Sequence, residues 1–366
     1  MADDVDYWLA LSLTPGVGSI LVKRLLDRFE SPEAVFRASL KELLEVEGLA
    51  ERVAREITKG PLEKRVKREL YLLNEVKGKV LTLRDDQYPR RLKAIYDPPA
   101  VLYLKGEIRQ DDDLAVAIVG SRKTSPYGRM MTEKISQDLA HEGVTVVSGM
   151  ARGIDSVAHG GALSAGGRTL AVLGSGIDVI YPRENRSLFT RITEQGAVLS
   201  EFPMGSPPEA GHFPKRNRII SGLSMGVVVI QAGPESGSLI TANCALEQGR
   251  DVFAVPGNIG AEGSRGTHRL IKDGAKLVES SKDILEEILP QWRDEAIRAR
   301  EPEVPKPSLP EEERKLYEFL EEDPTHIDVI IRETRIDPGR VSSLLLNLEL
   351  KGLIVQWPGK CFSRRK

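Results

Sequence analysis

Leu114-Ala115-Val116-Ala117-Ile118-Val119-Gly120-Ser121-Arg122-Lys123-Thr124-Ser125-Pro126-Tyr127-Gly128 joins an unbroken apolar run to a loop of small and cationic residues. An apolar run without alternation predicts a strand covered on both faces, which is the situation in parallel sheets whose crossover helices lie above and below. The loop follows the strand's carboxyl end, where open α/β sheets bind their ligands. Outward from this stretch the same rhythm recurs at 80–83, 100–104, 144–147, 169–173, 197–199, 226–230 and 252–255, with helix-like segments between most of the later runs. The expected architecture is therefore α/β: an extended Rossmann-like, doubly wound, mainly parallel sheet over residues 76–290.

The flanks read differently. Over residues 1–75 apolar positions recur at helical spacing, as in Leu21, Leu25 and Leu26 or Leu40, Leu43 and Leu44, and Pro15-Gly16, Ser31-Pro32 and Gly48 punctuate them. Leu13-Thr14-Pro15-Gly16-Val17-Gly18 leads into the amphipathic Ile20–Phe29 and resembles a helix-hairpin-helix element, with Val46-Glu47-Gly48-Leu49 as a weaker second copy. Such a turn presents free N–H groups to a phosphate; a tight turn inside a small SAM-like helical domain accounts for the same residues. Residues 291–309 are charged and proline-bearing, a linker composition. Residues 310–366 carry three helical patterns followed by strand candidates at 353–357 and 360–364, the order of a winged helix-turn-helix.

Composition limits the function. The chain has 366 residues, 40% of them hydrophobic, and a net charge of −2, so any nucleic-acid site must be a local patch. No apolar run approaches the roughly 18 residues of a membrane span, and the acidic start Ala2-Asp3-Asp4 predicts no secretory signal. Cys244 and Cys361 have neither metal-ligand nor redox spacing, and the five histidines form no close pair, which predicts a cytoplasmic protein without disulfide or metal.

Several further loops follow strand ends: Ser148-Gly149-Met150-Ala151-Arg152-Gly153-Ile154-Asp155, Gly174-Ser175-Gly176, and Gly233-Pro234-Glu235-Ser236-Gly237-Ser238 before a helix. Gly120, Gly149, Gly153, Gly174, Ser175, Gly176, Gly237 and Ser238 are thus candidates for phosphate or anion loops. None of the loops has the spacing of a dinucleotide fingerprint or a P-loop, so no cofactor is expected. Phe213-Pro214-Lys215-Arg216-Asn217-Arg218 sets an aromatic ring among three cations, the combination that follows single-stranded nucleic acid by stacking and charge. If the strands are parallel, these loops share one strongly positive sheet edge.

Taken in order, Tyr88-Pro89-x-x-Leu92, Asp97-Pro98-Pro99, Val119–Arg122, Ser148–Asp155, Phe213–Ile220, Ser236–Ala242 and Val255-Pro256-Gly257 resemble the DNA-processing protein A family, DprA, also called Smf. The resemblance implies a single-stranded DNA-binding protein that protects incoming DNA and loads RecA recombinase during natural transformation. It also implies a homodimer formed through the Rossmann-like domain. The thin set of acid, base and nucleophile candidates predicts no enzymatic activity. It assigns the DNA contacts to Ser121, Arg122, Arg152, Phe213, Lys215, Arg216, Asn217 and Arg218. One departure is Gln231, where an acidic residue is expected. The segment 267–289, with Leu270, Ile271, Ile284, Leu285 and Ile288, is the expected dimer contact. Two other readings remain open: a nucleotide-binding or nucleotide-cleaving enzyme, with Asp155, His159 and Glu201 as its carboxylate and imidazole candidates, and a duplex-binding regulator acting through the winged helix. Asp155 could equally pair with Arg152.

Overall fold

The computed structural model describes residues 4–289, 309–321 and 324–364. The expected linker, apart from Leu309, and the basic end Arg365-Lys366 lie outside the described residues. The chain divides into two compact units, residues 1–292 and 293–366.

The first unit opens with helices α1 (Asp4–Leu13), α2 (Ser19–Phe29), α3 (Pro32–Arg37), α4 (Leu40–Leu44), α5 (Glu51–Thr58) and α6 (Glu63–Glu75). The two hairpin glycines take up left-handed conformations, Gly16 at φ +88° and Gly48 at φ +78°, which a side chain would strain. They also pack reciprocally: a Cβ on Gly16 would strike Val53 of α5, and one on Gly48 would strike Arg24 of α2. The two hairpins thus form one paired domain. Its core continues without a break into the sheet, since Trp8, Leu25, Leu43 and Ile57 share a cluster with Val101 and Tyr103.

The sheet follows: β1 (Lys79–Thr82), β2 (Val101–Gly106), β3 (Ala115–Val119), β4 (Thr145–Ser148), β5 (Thr169–Val172), β6 (Ala197–Ser200), β7 (Gly226–Val229), β8 (Asp251–Ala254) and β9 (Lys276–Leu277). They lie in the order β1-β2-β6-β5-β4-β3-β7-β8-β9. From β6 to β9 every pairing is parallel, whereas β1 with β2 and β2 with β6 are antiparallel. The expected strands are all present; the two-residue β9 is too short to leave a pattern in the sequence.

Helices α7 (Arg90–Lys93), α8 (Pro126–His141), α9 (Ile154–Ser164), α10 (Arg186–Gln195), α11 (His212–Gly222), α12 (Gly237–Glu247), α13 (Arg265–Lys272) and α14 (Ser281–Ile288) complete the unit. Along β3, Ala115, Ala117 and Val119 join the layer containing Ile219, Ile220 and Ala242, while Val116 and Ile118 join the layer containing Ile135 and Leu139. That two-sided burial is what an unbroken apolar run encodes. Three residues of the segment expected to make the dimer contact belong to this core. Ile284, Leu285 and Ile288 turn inward into the second layer and are 0%, 2% and 6% exposed, so they offer a partner no surface.

The second unit holds α15 (Glu311–Phe319), β10 (Thr325–His326), α16 (Ile327–Thr334), α17 (Pro338–Leu350), β11 (Ile354–Trp357) and β12 (Cys361–Arg364). Its small sheet has the order β10-β12-β11, and Leu316, Ile330, Leu344, Leu348 and Phe362 fill its core. It is a winged helix whose first short strand was not legible from two residues. No described helix is long and apolar enough to cross a membrane.

Candidate nucleic-acid interface

Strands β4, β5 and β6 extend from β3 in one direction and β7 in the other, so the strand order reverses between β3 and β7. Loops leaving the two strands diverge there and open a crevice, the usual ligand position of a doubly wound sheet. A cavity of about 690 Å³ occupies it, with Gly120, Ser121, Arg122, Phe213, Arg216, Asn217, Gly237 and Ser238 on its walls.

One wall is the loop after β3. Ser121 N–H donates to Gln231 O at 2.8 Å, and the Gln231 amide holds the rest of the loop. Its Oε1 accepts from Ser125 N–H at 2.9 Å and Thr124 Oγ1 at 3.1 Å, and its Nε2 donates to Ser125 Oγ at 2.8 Å. Ser125 in turn caps α8, accepting from Gly128 N–H. Gln231 therefore braces this loop.

At the mouth, the Arg122 guanidinium lies over the Phe213 ring, 5.1 Å from its centroid, in cation–π geometry. The edge of that ring rests on Gly174, where a Cβ would come within 3.0 Å of it. Gly153, at φ +79°, packs directly on the backbone of Ser121 and Arg122.

Arg216 forms the floor and is only 4% exposed. Its Nη1 donates to Val172 O at 3.0 Å, its Nε has no partner, and the guanidinium lies against the bare Cα of Gly149. Burial pushes Arg216 down to about 10, with the neighbouring Asp155 carboxylate opposing the shift. Asp155 is pushed up by its own burial and pulled back chiefly by Arg216. It accepts from Ala151 N–H at 3.3 Å and does not pair with Arg152. His159 is fully buried; Thr169 Oγ1 gives its proton to Val146 O, so the imidazole Nδ1–H must donate to Thr169 at 2.6 Å. Opposite the floor, Ser236 caps α12, and Asn217 Nδ2 donates to Gly237 O at 3.2 Å. The first N–H groups of that helix lack intrahelical acceptors and carry its positive dipole end.

The remaining candidates lie elsewhere. Lys215 and Arg218 occupy the other face of α11 and border a separate cavity of about 310 Å³ beside Gly18 and Ser19. There Arg218 is held by Asp97 at 2.9 Å and Glu201 at 2.5 Å, so Glu201 serves a half-buried ion pair. Arg152 borders a third cavity and pairs with Glu184. Ser175 is 1% exposed and donates to Val179 O, and Gly176 packs against Pro203 O. Thus Gly149, Gly153, Gly174 and Gly176 act in this structure by making room for neighbours. The expected strongly positive edge is corrected too: the main cavity carries Arg122 and Arg216 against Asp155, Glu235 and Glu262, because three of the cations expected there lie in the other two cavities.

Sequence reasoning missed Tyr181, whose exposed ring lies 5.9 Å from that of Phe213. A single tyrosine in an irregular loop has no periodic signal to reveal it. Among the described residues no cluster of His, Cys, Asp or Glu is arranged to hold a metal ion.

These features define a doubly wound α/β protein with an arginine–aromatic cavity at its switch point, preceded along the chain by a paired helical-hairpin domain and followed by a winged helix. The chain belongs to the DNA recombination-mediator protein A family, whose model matches residues 79–289, and the DprA winged helix domain matches residues 300–360. It is 39% identical to protein Smf of Synechocystis sp., over 98% of each chain. The crystal structure of DNA processing protein A from Streptococcus pneumoniae matches with a TM-score of 0.70 at 39% identity, covering 77% of this chain and 97% of that one. The Helicobacter pylori protein, described for its single-stranded DNA binding mode, matches with a TM-score of 0.53 at 31% identity, covering 58% of this chain and 97% of that one.

Proposed function

We propose that this protein binds single-stranded DNA in the switch-point cavity and passes it to RecA recombinase, working in the cytoplasm as a homodimer built through the sheet domain. The observation that carries the reading is the Arg122 guanidinium laid over Phe213 at the cavity mouth, a cation and a stacking ring in one place. Phosphates meet Arg122, Ser121 and the positive dipole end at the start of α12, with Arg216 at the floor, while bases lie against the aromatic wall. Bases held in a duplex are paired and stacked on one another and cannot turn onto a ring at the cavity mouth, so duplex binds less well. The family's role as a recombination mediator and the Helicobacter pylori relative's single-stranded DNA binding agree with this chemistry.

The test is fluorescence anisotropy with matched single-stranded and duplex oligonucleotides over a range of salt, for the wild type, Arg122→Ala and Phe213→Ala. Losing one phosphate contact should flatten the slope of log affinity against log salt by about 0.7 in Arg122→Ala. Phe213→Ala should weaken binding with the slope unchanged. Duplex preference in the wild type, or normal binding by both variants, would overturn the reading.

A further inference from the structure

We infer that Tyr181 is a second base-stacking platform, carrying the single strand out of the cavity from Phe213 toward Arg152. The inference rests on the single-stranded DNA reading and specifies where the strand goes next. Phe213 leaves room for one base at most, because Arg122 lies over its ring, Gly174 supports its edge and Tyr181 flanks it. Tyr181 is 42% exposed, and its hydroxyl has no hydrogen-bond partner among the described residues. The two ring planes are inclined at 44°, so the wall presents two differently tilted faces, suited to two successive unpaired bases and to no continuous duplex stack.

Beyond Tyr181 lies a cation. The loop that carries Tyr181 also supplies Glu184, the carboxylate that pairs with Arg152. Arg152 lies outside the main cavity, so a strand confined to that cavity would never meet it. A strand crossing Tyr181 does, and its phosphate competes with Glu184 for the guanidinium.

The experiment uses the full-length protein and oligonucleotides with one 2-aminopurine scanned along the sequence, since stacking on an aromatic ring quenches that base. Tyr181→Ala should weaken binding by about five- to 150-fold, the equivalent of one lost stacking contact, and abolish quenching at one nucleotide. The nucleotide affected should neighbour the one that loses quenching in Phe213→Ala. Tyr181→Phe should retain affinity and quenching, and Tyr181→Leu should lose both. Wild-type behaviour of Tyr181→Ala or Tyr181→Leu would overturn the inference, as would equal losses in Tyr181→Phe and Tyr181→Ala, which would make the hydroxyl responsible. If the wild type binds through Phe213 but without Tyr181, only this inference falls. If it has no preference for single strands, the underlying reading falls with it.

Discussion

Gly149→Ala should remove the floor of the cavity without touching any residue that meets solvent there. A Cβ at this position would lie 1.5 Å from Arg216 Nη1, 2.4 Å from Cζ and 2.6 Å from Nη2, so the guanidinium cannot stay. Gly149 is not in a left-handed conformation, and alanine there brings no backbone strain of its own. The cost comes from displacing Arg216: its charged hydrogen bond to Val172 O is broken, and a buried carbonyl loses its donor. Together these amount to about 2–4 kcal/mol. In a unit of this size that lowers the melting temperature by about 3–7 °C. A double-mutant cycle in urea isolates the cause. With Arg216→Ala already in place there is no guanidinium to displace, so Gly149→Ala should cost less than about 1 kcal/mol, leaving a coupling of about 2–4 kcal/mol. Additivity within about 0.5 kcal/mol would refute the argument and locate the role of Gly149 elsewhere.

That a glycine in a loop at a strand's carboxyl end supports an arginine is the kind of fact the sequence conceals. The strands were legible because burial on both faces leaves an unbroken apolar run, as at Ala115–Val119. The flanks were legible from period and punctuation. What could not be read was which way side chains point and what they meet across long sequence separations. Phe213-Pro214-Lys215-Arg216-Asn217-Arg218 looks like one basic cluster when written as a string. Folded as the first turns of α11, it splits: Phe213, Arg216 and Asn217 face the main cavity, and Lys215 and Arg218 face the other. Helical spacing predicts that division, since positions three and four apart share a face, but only once Pro214 is read as opening a helix. The pairing of Arg152 with Glu184 joins two loops after different strands, and no local pattern encodes it.

Two perturbations test other parts of the site. Glu184→Gln frees Arg152 from its exposed partner, so single-stranded DNA affinity should rise about two- to fivefold with a steeper salt dependence; an unchanged salt slope would take Arg152 off the strand's path. The second perturbation is pH, acting through His159. Burial depresses its pKa from 6.5 to about 3, so the folded protein keeps the imidazole neutral where the unfolded chain protonates it. Its contribution to stability is therefore full above pH 6.5 and is lost as pH falls from there toward 3, at up to about 1.4 kcal/mol per pH unit. Carboxylates titrate over part of the same range, so the measurement is a comparison: urea unfolding of the wild type and His159→Gln between pH 7.5 and about 4.5. Glutamine can still donate to Thr169 but takes up no proton, so its stability should fall less steeply below pH 6.5, even if the substitution lowers stability at every pH. Parallel curves would mean that the buried imidazole is protonated in the folded protein, and the neutral tautomer donating to Thr169 would have to be abandoned.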